Sequence, residues 1–144
     1  MGMHLEHANI TVKSIDLALE FLSVAFPDFR RRGQGAMFGD ASLGHWLHFG
    51  TDQTYLALQE VTSGVPLLER RYNDVGVNHI GFVTDEIYDL IKRLKAAGFE
   101  MSDASSMGQH PYRERAYFYD GCGFEWEFVQ YLSEQTSERN DYET

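Results

Sequence analysis

Two histidines in this chain each open a short run of alternating polar and apolar residues. His7 precedes Ala8, Asn9, Ile10, Thr11 and Val12, and His79 precedes Ile80, Gly81, Phe82 and Val83. Near the C-terminal end, Glu125 and Glu127 alternate with Trp126 and Phe128. Alternation in a strand sends successive side chains to opposite faces. Trp126 and Phe128 therefore belong to a face that packs on helices, and Glu125, Glu127 and Val129 to the other. If that second face lines a concave sheet together with His7 and His79, two imidazoles and one carboxylate meet there. Such a set suits a divalent first-row metal with open coordination positions. An ion held that way polarises a substrate's oxygens or stabilises enolate-like charge.

The elements that must position these groups follow from hydrophobic period. Residues 5–12 read as a strand. Ser14 is placed to cap a helix over 15–26, with Ile15, Ala18, Leu19 and Leu22 as its apolar stripe and Pro27 as its stop. A short strand is expected over 29–32, a Gly-rich loop over 33–44, and a hairpin with strands 45–49 and 54–59 around the polar turn 50–53. Residues 62–76, with Gly64, Pro66 and the polar run 69–74, read as a connection. The pattern then returns. Asp85 is placed to cap a helix to about Ala97, with Ile87, Leu90, Ile91 and Leu94 as the stripe and Gly98 as the stop. A strand is expected over 99–102, a loop over 103–111, and strands over 115–119 and 124–130. A shift of 72 residues lays His7 on His79, Ile15 on Ile87 and Leu22 on Leu94. This is an internal repeat of two βαβββ units, an α+β arrangement.

Length and charge bound the rest. The 144 residues fit one domain over 1–132, with module one about 5–61, a linker 62–76 and module two about 77–131. Residues 133–144 are polar and are expected to be a disordered tail or an arm on a partner subunit. The net charge of −10 argues against nucleic acid and anionic membrane as partners and mildly favours a cation. No apolar run reaches membrane-spanning length, and the start carries no signal-peptide pattern. The single cysteine, Cys122, fits a reducing cytoplasm and has no basic neighbour in sequence to activate it. No G-x-G-x-x-G or P-loop is present, so a nucleotide cofactor is not expected.

The paired units resemble the vicinal oxygen chelate superfamily, which includes glyoxalase I, fosfomycin-resistance proteins, extradiol dioxygenases and bleomycin-resistance proteins. The resemblance covers residues 5–131. Its most specific part is the turn Asp120, Gly121, Cys122, Gly123 followed by Glu127, which is similar to the family's Asp-x-x-Gly turn and metal-binding glutamate. It implies curled sheets around a cavity and one divalent ion (Fe, Mn, Zn or Ni) on His7, His79 and Glu127. Glyoxalase-type members carry a fourth ligand on the last strand of the first unit, where this chain has Ala57. Gln59 is a weak ligand at best, and Glu60 has the wrong parity. A site of two histidines and one glutamate is therefore expected, as in the fosfomycin-resistance and dioxygenase pattern.

The resemblance implies a homodimer acting on a small-molecule substrate, with ligands drawn from one subunit or two. The reaction could be an isomerase, lyase, dioxygenase or thiol-transfer step. Glu127, Gln59 and Tyr55 are the candidate catalytic residues. His48, Trp46, Arg115, Tyr117 and Glu125 are candidate substrate contacts, with His110 and Arg113 flanking the third strand of the second unit. His45 and His48 fall on opposite faces, so at most one of them faces a cavity. The alternative is a metal-free protein that sequesters a drug or metabolite, as bleomycin-resistance members do; the −10 charge would suit a cationic aromatic ligand.

Overall fold

A computed structural model describes residues 2–63, 72, 73, 75–102 and 110–144. The chain divides into two compact units, Met1–Leu67 and Leu68–Thr144. Most of the connection 62–76 and of the loop 103–111 lies outside the described residues. No helix among the described residues is long and apolar enough to cross a membrane.

In the first unit, strand β1 (His7–Thr11) leads into helix α1 (Ile15–Ala25), and strands β2 (Arg30–Ala36), β3 (Gly44–Gly50) and β4 (Tyr55–Val61) follow. The sheet order is β1-β4-β3-β2, with β1 parallel to β4 and the other pairs antiparallel. Its core joins Ile15, Ala18, Phe21 and Leu22 of α1 to Leu47, Phe49, Leu56 and Leu58 of the sheet. The strand expected over 29–32 runs on to Ala36, so the first part of the expected loop is strand. Two glycines conceal it. A Cβ at Gly35 would lie 3.0 Å from the Trp46 ring, and one at Gly33 3.6 Å from it. Bare backbone is what lets Trp46 lie across β2, and bare backbone carries no hydrophobic period to read. The register between β2 and β3 shifts between Arg31 and Gly33, a bulge that leaves Arg32 as the extra residue.

The second unit contains β5 (His79–Val83), α2 (Ile87–Ala96), β6 (Arg113–Tyr119) and β7 (Glu125–Tyr131), in the sheet order β5-β7-β6. Trp126 and Phe128 are each 1% exposed and pack with Phe118 and Ala116 on the side of Ile87, Leu90 and Leu94. The strand expected over 99–102 is reduced to one bridge, Met101 to Phe118, flanked by Ser102 N–H donating to Tyr117 O at 2.8 Å.

The repeat extends to the way each helix is started. The backbone N–H of Ile15 donates to Glu60 Oε2 at 2.7 Å, and that of Ile87 donates to Gln130 Oε1 at 2.9 Å. Each unit thus uses a side chain of its last strand to satisfy an orphan donor of its helix. Ser14 also accepts from Leu17 N–H, as its position suggests. Asp85 does not cap α2; Glu86 occupies that position without a side-chain bond, and Gln130 supplies the acceptor instead. Glu60→Ala and Gln130→Ala are each expected to cost about 1 kcal/mol in urea unfolding. Glu60→Gln should cost less than Glu60→Ala, because it keeps the acceptor and loses only the carboxylate's attraction to the helix N-terminus.

Residues 133–144 carry a one-turn helix, α3 (Thr136–Arg139), and the chain end is held by the start of β6. Arg113 donates to Arg139 O at 3.2 Å and to Asp141 O at 3.3 Å, and His110 Nε2 lies 3.0 Å from Asp141 O. Arg113 also lies over the Tyr142 ring. The polar composition that suggested disorder or a partner arm is offset here by charge-assisted bonds to backbone carbonyls.

Candidate functional site

The polar face of the first unit's sheet is a row of rings. Register places His7 beside Tyr55, and Ala57 between Asn9 and His48. His7 stacks on Tyr55 with centroids 4.7 Å apart and planes at 16°, and its Nδ1 lies 3.0 Å from Glu6 Oε1. His48 lies 4.7 Å from Tyr55 on the same sheet and 4.8 Å from Trp46. The guanidinium of Arg32 sits 4.1 Å above the Tyr55 ring, a cation–π contact that the bulge in β2 makes possible. Gln59 donates to Thr11 Oγ1 at 2.9 Å. Glu60 is on the opposite side of the strand, engaged at the start of α1.

Burial, then the charges of Arg32 and His7, hold the His48 pKa below the usual imidazole range. A histidine with a depressed folded-state pKa favours the native state above its unfolded value, and that contribution is lost as pH falls through the folded value. Proton NMR should find His48 titrating below about 6.5, the ordinary value. Arg32→Gln should move the midpoint part of the way back, because the larger cause, burial, remains.

In the second unit the polar face carries a connected chain of hydrogen bonds. His79 pairs with Glu125 across the sheet, and Gly81 and Tyr117 flank Glu127. His79 Nε2 lies 2.9 Å from Glu127 Oε2, and Tyr117 donates to Glu127 Oε1 at 2.8 Å. On the other side of the imidazole, Tyr72 Oη lies 3.0 Å from His79 Nδ1 and donates to Glu125 Oε1. Glu125 Oε1 itself is 3.8 Å from Nδ1. Gly81 has no side chain to fill the space beside Glu127; a Cβ there would lie 3.4 Å from Oε2.

Tyr72 and Tyr117 each have one hydrogen, and each gives it to a carboxylate. The Tyr72 oxygen is then left to accept from Nδ1–H of His79. Burial, then the bond to Glu127, pushes the Tyr117 phenol up to about 12. Burial and the bond to Glu125 push Tyr72 up as well. Both phenols are therefore hydrogen donors at neutral pH.

The structure thus brings His79, Glu127, Tyr117 and Glu125 together, and separately His7, Tyr55, His48 and Trp46. Arg115 lies on the second unit's polar face beside Val129, further along the strands than the His79–Glu125 pair. Among the described residues, no group of three or more His, Cys, Asp or Glu side chains is placed to hold a metal ion. His79 and Glu127 are a pair, and His7 belongs to the other unit. His110 and Arg113, which flank the third strand of the second unit, are engaged with carbonyls of the chain end.

Two contributors were not legible in sequence. Tyr72 lies in the stretch read as a connection, seven residues before His79 with no period linking them. Its φ of +64° is rare for a bulky residue. The bonds to Glu125 and His79 hold it there. Arg32 reaches Tyr55 only because of a bulge, and a bulge has no one-dimensional signature beyond the adjacent Gly33.

Comparison with known proteins gives a consistent family. The model of the Glyoxalase/Bleomycin resistance protein/Dioxygenase superfamily matches residues 4–128. No curated protein matches. Among solved structures, the chain is similar to a genomically encoded fosfomycin resistance protein, FosX, from Listeria monocytogenes, complexed with Mn(II) and sulfate. That match has 25% identity and a TM-score of 0.69, covering 98% of this chain and 100% of that one. FosX from Mesorhizobium loti matches at 24% identity and a TM-score of 0.65, over 96% and 98% of the two chains. A glyoxalase family protein from Bacillus cereus shares the fold at 14% identity, with a TM-score of 0.74 over 92% and 97%.

Proposed function

The chain belongs to the Glyoxalase/Bleomycin resistance protein/Dioxygenase superfamily, and from that premise we propose that it is a divalent-metal-dependent enzyme acting on a small oxygenated substrate. The observation that carries this reading is the 2.9 Å approach of His79 Nε2 and Glu127 Oε2 on the polar face of β5 and β7. Imidazole and carboxylate are a fitting donor set for Fe, Mn, Zn or Ni. His79 and Glu127 are the proposed ligands of the second unit. His7 is the proposed third, on the strength of the repeat that lays it on His79. The Listeria relative was described with Mn(II), which makes manganese the first ion to test.

Bound there, the ion would polarise two neighbouring oxygens of the substrate. The chain's own residues do the rest. Tyr117 holds one oxygen of Glu127 and so fixes the carboxylate's rotation. Tyr55 and Gln59 are the proposed proton-transfer groups, and Trp46 and His48 are proposed substrate contacts. A homodimer is proposed as the working assembly, and light scattering at micromolar concentration checks it.

A second reading has one observation in its favour. Both nitrogens of His79 and both oxygens of Glu127 already have partners within the protein, so the face is satisfied without an ion. A metal-free binding protein would look the same. Metal analysis of protein purified without chelator, beside His79→Ala and His7→Ala, separates the two. About one equivalent of a divalent ion in the parent, lost in His79→Ala, supports the enzyme, since its removal takes away one of few ligands. No ion in the parent, even after reconstitution with Mn(II), Fe(II), Zn(II) and Ni(II), ends the metal reading and leaves the binding protein.

A further inference from the structure

We infer that Glu125 and Tyr72 are positioning residues for His79: together they fix its ring so that Nε2, and not Nδ1, faces Glu127. The two nitrogens of an imidazole point away from each other, so a single ion takes only one of them. Glu125 and Tyr72 stand on the Nδ1 side, at 3.8 and 3.0 Å, and Glu127 on the Nε2 side, at 2.9 Å. Glu125 is therefore behind the ring relative to Glu127, where it orients the histidine and does not share its ion.

Burial makes the arrangement specific. Glu125 is 8% exposed and keeps a hydrogen bond from Tyr72. A carboxylate taken out of water this far is costly unless it is bonded, so the Tyr72 hydroxyl has one strongly preferred orientation. With its single hydrogen on Glu125, Tyr72 offers His79 only an oxygen lone pair. That oxygen accepts from Nδ1–H and rejects a ring flipped to present carbon at that place. Ring orientation thus follows from a chain of bonds that begins at a buried charge.

The first unit shows the same plan in simpler form. His7 has Glu6 at 3.0 Å from its Nδ1, with no intervening hydroxyl. Each strand-opening histidine has an acid behind Nδ1. Outer partners of this type commonly set how well a histidine binds metal. The consequence for metal affinity rests on the metal reading above; the orientation of the ring does not.

The test uses the full chain, stripped of metal, as wild type, Glu125→Ala, Glu125→Gln, Tyr72→Phe and Glu127→Ala, each checked for folding by circular dichroism. Nitrogen-15 NMR of the His79 side chain in the metal-free protein reads the Nδ1 bond directly. Tyr72→Phe and Glu125→Ala should shift the Nδ1 resonance, and Glu125→Gln should fall between them and wild type because it keeps an acceptor for Tyr72. Calorimetric titration with Mn(II) reads the consequence. Tyr72→Phe and Glu125→Ala should bind about 10–100-fold more weakly, and Glu127→Ala more weakly still.

Unchanged His79 resonances in both Tyr72→Phe and Glu125→Ala overturn the inference. A Glu125→Ala protein that loses Mn(II) as completely as Glu127→Ala also overturns it, since Glu125 would then be a ligand. If wild type binds no ion while the resonances shift as described, the positioning role stands and the metal reading falls.

Discussion

Asp120→Ala is expected to lower the stability of the second unit by about 3 kcal/mol, read from the urea midpoint. Asp120 is 3% exposed and accepts three hydrogen bonds. Its Oδ1 takes Cys122 N–H at 2.7 Å and Phe124 N–H at 3.1 Å, and its Oδ2 takes the Trp126 indole N–H at 3.1 Å. Removing the carboxylate leaves three donors without their acceptor, two of them in buried bonds, at about 1–3 kcal/mol for each that stays unsatisfied. Relaxation of the turn recovers part of this. Asp120→Asn should fall in between, since its amide keeps one acceptor oxygen but turns an N–H toward a donor. The consequence is also functional. The turn sets where β7 begins, and β7 carries Glu125 and Glu127 opposite His79 and Gly81. A folded Asp120→Ala protein with unchanged stability would show that the turn is held by something other than this side chain.

Gly50→Ala is expected to cost a similar amount in the first unit, about 3 kcal/mol, by overpacking. A Cβ at position 50 would lie 2.2 Å from Thr54 O and 2.5 Å from Tyr55 Cα. Both are backbone atoms, so no side-chain rotation relieves the clash. The strands must part where Gly50 pairs with Tyr55. Tyr55 is the ring between His7 and His48, so the stacking row should loosen along with the hairpin. Gly33→Ala is the control. Its Cβ would meet the Trp46 ring at 3.6 Å, an ordinary contact, and its cost should stay below about 1 kcal/mol. Equal costs for the two variants would remove steric exclusion as the reason for glycine at position 50.

Sequence alone determined the repeat, the two helices with their buried stripes and the faces of β1, β4, β5 and β7. It also singled out His79 and Glu127, which the structure brings together. These follow from period: a side chain's face depends on its position within its own element, which is local information. The Ser14 cap is local for the same reason. Tertiary structure decided what side chains from distant parts of the chain do for one another. It assigned Glu60 and Gln130 to the starts of the helices, where parity could show only that Glu60 faced away from the polar side. It drew β2 through two glycines and gave Arg32 to Tyr55 by a register shift. It turned Glu125 from a candidate substrate contact into a buried partner of Tyr72. Each of these depends on strand register or on a contact between residues far apart in sequence, and such contacts are chosen by the packing of the whole unit, not by any period along the chain.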